Sequence, residues 1–320
     1  MKSSGFALFV VLLIALITPA RAHGATTPKP KLVLFLVVDQ LRGDMPLRFE
    51  ERFGEGGFRY LLGQGVIYRN AHYRHANTFT AVGHATLATG GNTPQHGIAG
   101  NHWYDKNTDE VVYCVEDSSH PPIGTEDADS GMSPKHLTAS TFGDELVLAT
   151  GGASRVFSVS MKDRAAVLMG GHRGKAFWYD ANTGNFVSST HYYDAYPAWV
   201  DGFNASHGVD AWLGTAWSLL QPAESYIFGG QDDRPEERAY KGLGRIFPHP
   251  LPGEAGEGYY GTLRFTPMGD AVTLDFASTL LTAEQVGQGK QTDILSVSLS
   301  ATDYIGHAFG PNSLEAEDNL

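Results

Sequence analysis

The sequence predicts an α/β fold built on a mostly parallel central sheet. Strand-like and helix-like segments alternate along the chain, which is typical of parallel sheets with helices on both faces. Residues 32–38 are a continuous apolar run, as expected of a strand covered on both faces, and residues 156–160 and 294–299 are further strand-like segments. A length of 320 residues allows one large domain or two small ones with a substantial core.

Residues 1–22 have the composition of an export signal. Lys2 supplies a positive charge, residues 6–17 are an unbroken apolar run, and Ala20-Arg21-Ala22 fits a cleavage site flanked by small residues. The alternative is a membrane anchor, but a helix of this length spans only about 18 Å of a ~30 Å hydrocarbon core. We therefore predict cleavage after Ala22, a periplasmic or secreted location, and no stable membrane anchor afterwards.

In the mature chain, residues 23–320, a polar lead-in at residues 23–31 precedes the apolar run at residues 32–38. This run predicts a central parallel strand buried on both faces. Helix-like patterns follow at residues 48–63 and from Thr80 to Gly90, and residues 103–135 have the composition of a loop-rich excursion. Further along we predict a helix at residues 138–149, a strand at 156–160, an apolar segment at 165–169, a helix at 269–286 and a last strand at 294–299.

Residues 170–267 differ from the rest of the chain in composition. Aromatic residues, glycine and proline dominate this segment without a clear period. Such a segment, inserted between helices and strands of regular pattern, is expected to cover the sheet instead of joining it. We therefore predict a cap insertion within a single domain.

The net charge of −12 and the single cysteine exclude several classes of protein. An acidic balance argues against binding a nucleic acid duplex, which requires clustered lysine and arginine. Cys114 has no second cysteine with which to form an intrachain disulfide. Its apolar neighbours at residues 111–115 predict a buried, unreactive thiol.

Two aspartates follow predicted strands. Asp39 comes directly after residues 32–38 and Asp303 shortly after residues 294–299, which places both carboxylates at the same edge of a parallel sheet. A single aspartate at a strand end is more often a turn former or helix cap. His307, however, lies four residues after Asp303, and in a helical turn this spacing puts both side chains within reach of one Zn²⁺.

A threonine-rich segment enters the helix predicted from Thr80. A hydroxyl at that point lies near free N–H groups that favour anions, although a helix-capping threonine is an equally ordinary interpretation. Adjacent metal ions can turn such a hydroxyl into a nucleophile by lowering its pKa. Thr78, two residues earlier, is the rival candidate.

Lys162 and Arg164 follow the strand predicted at residues 156–160. Two residues apart on an extended segment, their side chains point the same way, and such a cationic pair suits phosphoryl oxygens. The alternative is a solvated surface pair neutralised by Asp163. The five histidines between positions 72 and 102 match no metalloprotease pattern and are better interpreted as structural or surface groups.

Taken in order, these segments resemble the alkaline phosphatase superfamily, specifically its type I phosphodiesterase/nucleotide pyrophosphatase branch and the threonine-nucleophile periplasmic alkaline phosphatases. The segments that carry the resemblance lie at residues 36–42, 78–84, 96–101, 162–164 and 300–311. The resemblance implies an alkaline-phosphatase-like three-layer α/β/α fold with cap insertions. It also implies zinc-dependent hydrolysis of small phosphate monoesters.

The resemblance further implies a role for each matching residue. Thr80 corresponds to a nucleophile that forms a phosphothreonine intermediate. Asp39 and Thr80 correspond to ligands of one of two zinc ions, and Asp303 and His307 to ligands of the other.

The same resemblance makes Asn101, Lys162 and Arg164 the groups that hold the non-bridging phosphoryl oxygens. Because a monoester carries more charge on these oxygens than a diester, the Lys–Arg pair favours monoesters. A phosphodiesterase on the same scaffold and a non-catalytic relative are the alternatives.

The resembling enzymes carry further zinc ligands, an Asp-His pair and a later histidine, which the 320 residues do not contain. On this basis we expect a C-terminally truncated form. As it stands, the chain is expected to bind zinc weakly and to have little activity.

Overall fold

A six-stranded sheet organises the residues described by this computed structural model, namely 29–125, 131–230 and 232–320. The strands of the chain are β1 Leu32–Val38, β2 His102–Asp105, β3 Glu110–Tyr113, β4 Pro122–Ile123, β5 Val156–Ser160, β6 Lys175–Tyr179, β7 Phe186–Ser189, β8 Ala216–Trp217, β9 His249–Pro250 and β10 Asp293–Leu299. The sheet has the order β1-β10-β5-β6-β7-β4, in which β1, β10, β5 and β6 are parallel and β7 and β4 antiparallel to their neighbours. The predicted α/β class with a mostly parallel sheet is confirmed.

Helices cover this sheet and connect its strands. The α-helices are α1 Met45–Arg48, α2 Gly57–Gln64, α3 Thr80–Thr89, α4 Thr93–His96, α5 Phe142–Ala149, α6 Asp163–Gly170, α7 Ala198–Ala205, α8 Glu257–Leu263, α9 Pro267–Ala283, α10 Ala301–Phe309 and α11 Leu314–Asp318. Short 3₁₀ turns lie at Glu50–Arg52, Gly208–Trp212, Ala223–Ser225 and Tyr240–Gly242. The predicted export signal lies outside the described residues, and in the described part no helix has the length and apolar character needed to cross a membrane.

Strand β1 lies at an edge of the sheet, where β10 is its only strand neighbour among the described residues. Leu34 is 57% exposed and Leu36 44% exposed. The prediction of a central strand buried on both faces is therefore wrong for the described chain. Apolar composition shows what a strand can bury, but it carries no information about how many neighbours the strand has.

The segment predicted as a cap, residues 170–267, begins inside the sheet. Strand β6 pairs in parallel with β5, and β7 returns antiparallel beside β6. Nearly every residue of both strands is buried, so they have no polar face and no alternating pattern that would reveal a strand. The prediction of a cap therefore fails for these two strands, and for the residues after Ser189 it stays a prediction.

Other elements differ from the sequence predictions mainly at their ends. Helix α5 begins at Phe142 instead of residue 138, because Thr141 caps it: the Thr141 Oγ1 accepts from the Asp144 amide at 3.0 Å, and the Thr141 amide donates to Asp144 Oδ2 at 2.9 Å. The predicted loop-rich excursion contains the β2–β3 hairpin and β4. Cys114 is fully buried, and burial raises the pKa of its thiol, as the sequence led us to expect.

Two buried carboxylates, those of Glu237 and Glu315, and the half-buried carboxylate of Asp232 lie outside the cleft described below. One oxygen of each, Oδ1 of Asp232, Oε1 of Glu237 and Oε2 of Glu315, is buried and makes no hydrogen bond to any described residue. Burial, with the negative charges of Glu315 and Asp232, raises the pKa of Glu237 to about 7. The folded protein therefore binds a proton at Glu237 more tightly than the unfolded chain does.

The free energy of unfolding should fall as the pH rises from about 4.5 towards 7, because folding then requires Glu237 either to keep its proton or to bury a charge. The Glu237→Gln variant carries no such charge, so we expect it to be more stable than the parent at pH 8, on the order of 1–2 kcal/mol after allowance for solvent screening, and nearly unchanged at pH 4.5. Urea unfolding at both pH values measures this, with the exposed Glu236→Gln as control. An equal effect at the two pH values would contradict the prediction.

Candidate active site

The carboxyl ends of the parallel strands open onto a cleft of about 940 Å³. Six of the seven residues predicted to form a site line it, namely Asp39, Thr80, Asn101, Arg164, Asp303 and His307. The seventh, Lys162, lies behind them and contacts two of them directly. The residues singled out by the strand-end rule therefore lie together at one edge of the sheet, and their roles stay a prediction.

Asp39 and Asp303 face one another across the ends of β1 and β10. These strands are in register from Leu32 to Val38, and the Asp39 amide continues the ladder by donating to the Leu299 carbonyl at 2.9 Å. The Lys162 ammonium lies 2.6 Å from Asp39 Oδ2 and also donates to Asp303 Oδ2. Burial would raise the pKa of Asp39, but the adjacent ammonium holds it below its ordinary value.

Thr80 is the first residue of α3, and its hydroxyl donates to Asp39 Oδ2 at 3.1 Å. The Ala81 amide in the same turn donates to Asn101 Oδ1 at 3.0 Å, which fixes the Asn101 side chain beside this helix N-terminus. Thr78, the rival nucleophile, also lines the cleft but is exposed and lies before the helix. Thr80 is thus the hydroxyl that contacts both a carboxylate and the start of a helix.

His84 is a buried residue that positions α3 against the sheet. The Thr80 carbonyl can only accept, so His84 Nδ1 donates to it at 2.7 Å and Nε2 accepts from the Ser298 hydroxyl at 2.8 Å. Burial lowers the pKa of His84, which keeps the ring neutral. Its spacing of four residues from Thr80 is the sequence signal that could have identified this role.

Asp303 and His307 lie on one face of α10, as their spacing predicts. His307 Nε2 lies 3.5 Å from Asp303 Oδ1, and the His307 side chain is 69% exposed. The start of this helix is held by Asp270, whose Oδ1 accepts from the amides of Ser300 and Ala301 at 2.7 and 3.0 Å. Sequence reasoning missed Asp270, because no local pattern connects it with residues thirty positions away.

Lys162 and Arg164 lie in different secondary structure. Only Lys162 is extended (φ −108°, ψ 126°), whereas Arg164 lies in the first turn of α6. The prediction that both residues share an extended segment is therefore wrong, although both line a smaller cavity of about 210 Å³ beside the cleft. Arg164 lies instead beside Tyr113, to whose hydroxyl it donates at 3.3 Å, and this hydroxyl donates in turn to Asp163 at 2.6 Å.

A search of the described residues finds no three histidine, cysteine, aspartate or glutamate side chains grouped so as to hold a metal ion. The donors in the cleft come in smaller sets: the Asp39 carboxylate with the Thr80 hydroxyl, and the Asp303 carboxylate with the His307 imidazole. Carboxylate oxygens and imidazole nitrogens are the ligand types that zinc takes. The Lys162 ammonium between the two carboxylates marks this point as one that binds positive charge.

Comparison with known proteins gives matches over most of the chain. The family model for type I phosphodiesterase/nucleotide pyrophosphatase matches residues 33–320. The chain is 44% identical over 295 residues to alkaline phosphatase PhoV of Synechococcus elongatus. This match covers 92% of this chain and 54% of PhoV. It is 40% identical over 315 residues to alkaline phosphatase PafA of Elizabethkingia meningoseptica. This match covers 97% of this chain and 57% of PafA.

A solved structure also matches the fold of this chain. The crystal structure of wild-type alkaline phosphatase PafA superposes with a TM-score of 0.85 at 40% identity, over 91% of this chain and 57% of that one. The chain therefore spans a little over half the length of the relatives it matches.

Proposed function

Because the chain belongs to the type I phosphodiesterase/nucleotide pyrophosphatase family, we propose that it carries the nucleophile, the phosphate-binding groups and part of the metal site of an exported, zinc-dependent phosphomonoesterase. The observation that carries this proposal is the hydroxyl of Thr80, which lies at the start of α3 and donates to Asp39 in a cleft that Arg164 also lines. Similarity to the alkaline phosphatases PhoV and PafA supports the same reaction class.

Thr80 is the attacking group in this proposal. Its hydroxyl is already oriented by the hydrogen bond to Asp39, and the positive end of the α3 helix dipole favours the negative charge of a phosphoryl group. Attack on phosphorus forms the Thr80 O–P bond, releases the alcohol and leaves a phosphothreonine that water then hydrolyses.

Asp39 with Thr80, and Asp303 with His307, are the residues that would hold two zinc ions. Bound zinc would lower the pKa of the Thr80 hydroxyl and stabilise the negative charge on the leaving oxygen. The protein's own contribution is to fix these donors at the ends of β1 and β10, where the strand register and His84 hold them. Two donors for each ion leave room for further ligands.

Asn101 and Arg164 bind the non-bridging phosphoryl oxygens, and Lys162 adds a second positive charge behind them. Concentrated positive charge favours the more highly charged monoester over a diester. The family description also includes phosphodiesterases and nucleotide pyrophosphatases, which makes diester hydrolysis the second candidate. The predicted export signal supports a periplasmic or secreted location.

The two candidates are separated by comparing hydrolysis of p-nitrophenyl phosphate and bis(p-nitrophenyl) phosphate with zinc present. The assay uses the 320-residue chain and a fusion that continues it with the part of PhoV outside the match. We expect kcat/KM for the monoester to exceed that for the diester by about 100-fold or more. The reverse order would favour the phosphodiesterase, and stoichiometric phosphate binding without turnover in either protein would favour a non-catalytic relative.

A further inference from the structure

Lys162 is a deeply buried cation behind the cleft, and its partners are two carboxylates from different parts of the chain. Its side chain is 1% exposed, and its ammonium contacts Asp39 at the end of β1 and Asp303 beyond the end of β10. The ring centroid of Tyr304 lies 4.7 Å from Nζ. The ammonium thus links the two carboxylates that the proposed function assigns to different zinc ions.

We propose that the Lys162 ammonium competes with metal for the carboxylates of Asp39 and Asp303, and so sets how tightly this chain binds zinc. The inference rests on the proposed function, since that function supplies the metal. It adds one property of the site, namely that the Lys162 ammonium weakens the binding of zinc there.

The crowding at one oxygen is the first reason. Asp39 Oδ2 already accepts from Lys162 Nζ at 2.6 Å and from Thr80 Oγ1 at 3.1 Å. A metal ligand must offer a lone pair, so a cation that binds through this oxygen competes with these donors for it. The ammonium is the stronger competitor of the two, because it is charged and bonds the neighbouring carboxylate as well.

The second reason is electrostatic. Two buried carboxylates repel each other and attract any cation placed between them, and at this burial the interaction is only weakly screened. The ammonium already neutralises part of this negative charge, so the two carboxylates attract a metal ion less strongly. Removing the ammonium leaves both carboxylates with charge that an added cation or a proton must balance, so the attraction for a metal ion rises.

The displaced side chain has space to move into. A smaller cavity of about 210 Å³ adjoins the site and is lined by Lys162, Arg164 and Tyr304. Movement into it brings the ammonium towards Arg164, on the side where the proposed function places the phosphoryl oxygens. One movement of the Lys162 side chain would thus both release the two carboxylates and bring the ammonium closer to a bound phosphate.

The test measures zinc affinity by competition with a chromophoric chelator in phosphate-free buffer. We expect the Lys162→Met variant to bind zinc about tenfold more tightly than the parent chain, and the matched Arg164→Met variant to stay within about threefold of it. Arg164 is a suitable control because it is a neighbouring cation whose partners are Tyr113 and Asp163 instead of the two carboxylates. Unchanged or weaker zinc binding by the folded Lys162→Met protein would overturn the proposal.

A second measurement uses the unmodified chain, in case the variant does not fold. Amine-reactive labelling followed by mass spectrometry reports the accessibility of each lysine, and Lys135, which is 58% exposed, serves as the internal reference. Zinc at saturation should increase labelling of Lys162 several-fold relative to Lys135. Labelling of Lys162 that stays constant while zinc binds would also overturn the proposal.

These results separate the inference from the proposed function. If the zinc affinities shift as expected but no phosphate ester is hydrolysed by the chain or its fusion, the phosphatase function is wrong and the competition stands. If monoesters are hydrolysed but the Lys162→Met variant binds zinc no more tightly, the competition is wrong and the function stands.

Discussion

Replacing Thr80 with alanine is expected to lower phosphomonoester hydrolysis by about 10³-fold or more, because it removes the atom that forms the covalent intermediate. The substitution leaves the backbone of α3 able to form, since Ala has the highest helix propensity. The hydrogen bond to Asp39 is lost, but this is one exchangeable contact of a carboxylate that Lys162 also holds. The measurement is kcat/KM for p-nitrophenyl phosphate with zinc present, in the fusion described above.

Thr78→Ala is the matched control for this experiment. Thr78 lines the same cleft, but it is exposed and precedes the helix, so we expect less than about a tenfold loss. Acid quenching during turnover should also trap a phosphothreonine, which fragmentation mass spectrometry can assign to one of the two threonines. A large loss in Thr78→Ala with a small one in Thr80→Ala would reverse the assignment.

Replacing Arg164 with alanine is expected to lower kcat/KM for a monoester by about 10²-fold and that for a diester by less than about tenfold. The guanidinium lies beside Tyr113 and Asp163 and lines the cleft, with a buried Nε that hydrogen-bonds no described residue. A positive charge held in this way stabilises the substrate that carries more negative charge. Hydrolysis of p-nitrophenyl phosphate and bis(p-nitrophenyl) phosphate by the same preparations gives both values.

The control for Arg164 is Arg173→Ala, which removes an exposed arginine just after the same helix. It changes the overall charge of the chain by the same amount but leaves the cleft unaltered, so both substrates should be hydrolysed as by the parent. Equal losses for monoester and diester in Arg164→Ala would contradict a role in choosing between them.

The parts of the site that sequence could predict are those governed by local rules. Asp39 and Asp303 were identified because the ends of parallel strands meet at one edge of a sheet, whichever residues lie between them. Asp303 and His307 were paired by a spacing of four, which α10 realises directly. The start of α3 at Thr80 followed from the same kind of helical pattern.

The rest depends on contacts between distant parts of the chain. Asp270 holds the start of α10 and Tyr113 contacts Arg164, yet neither residue has a neighbour in sequence that marks it. The prediction of an extended segment through Lys162 and Arg164 is wrong because α6 begins at Asp163, before the apolar residues 165–169. The position of β1 in the sheet could not be predicted either, since strand composition does not specify strand order.

In the part of the chain that the structure describes, no strand pairs with the outer edge of β1, and this has a consequence for how copies of these residues meet. Backbone N–H and C=O groups along an outer strand edge can pair with a strand of another molecule. Such pairing would be stabilised further if it buried the exposed side chains of Leu34 and Leu36. The net charge of −12 opposes this by mutual repulsion. The balance between dispersal and association is therefore electrostatic: salt screens the repulsion, and acid near the isoelectric point of about 5.5 removes it.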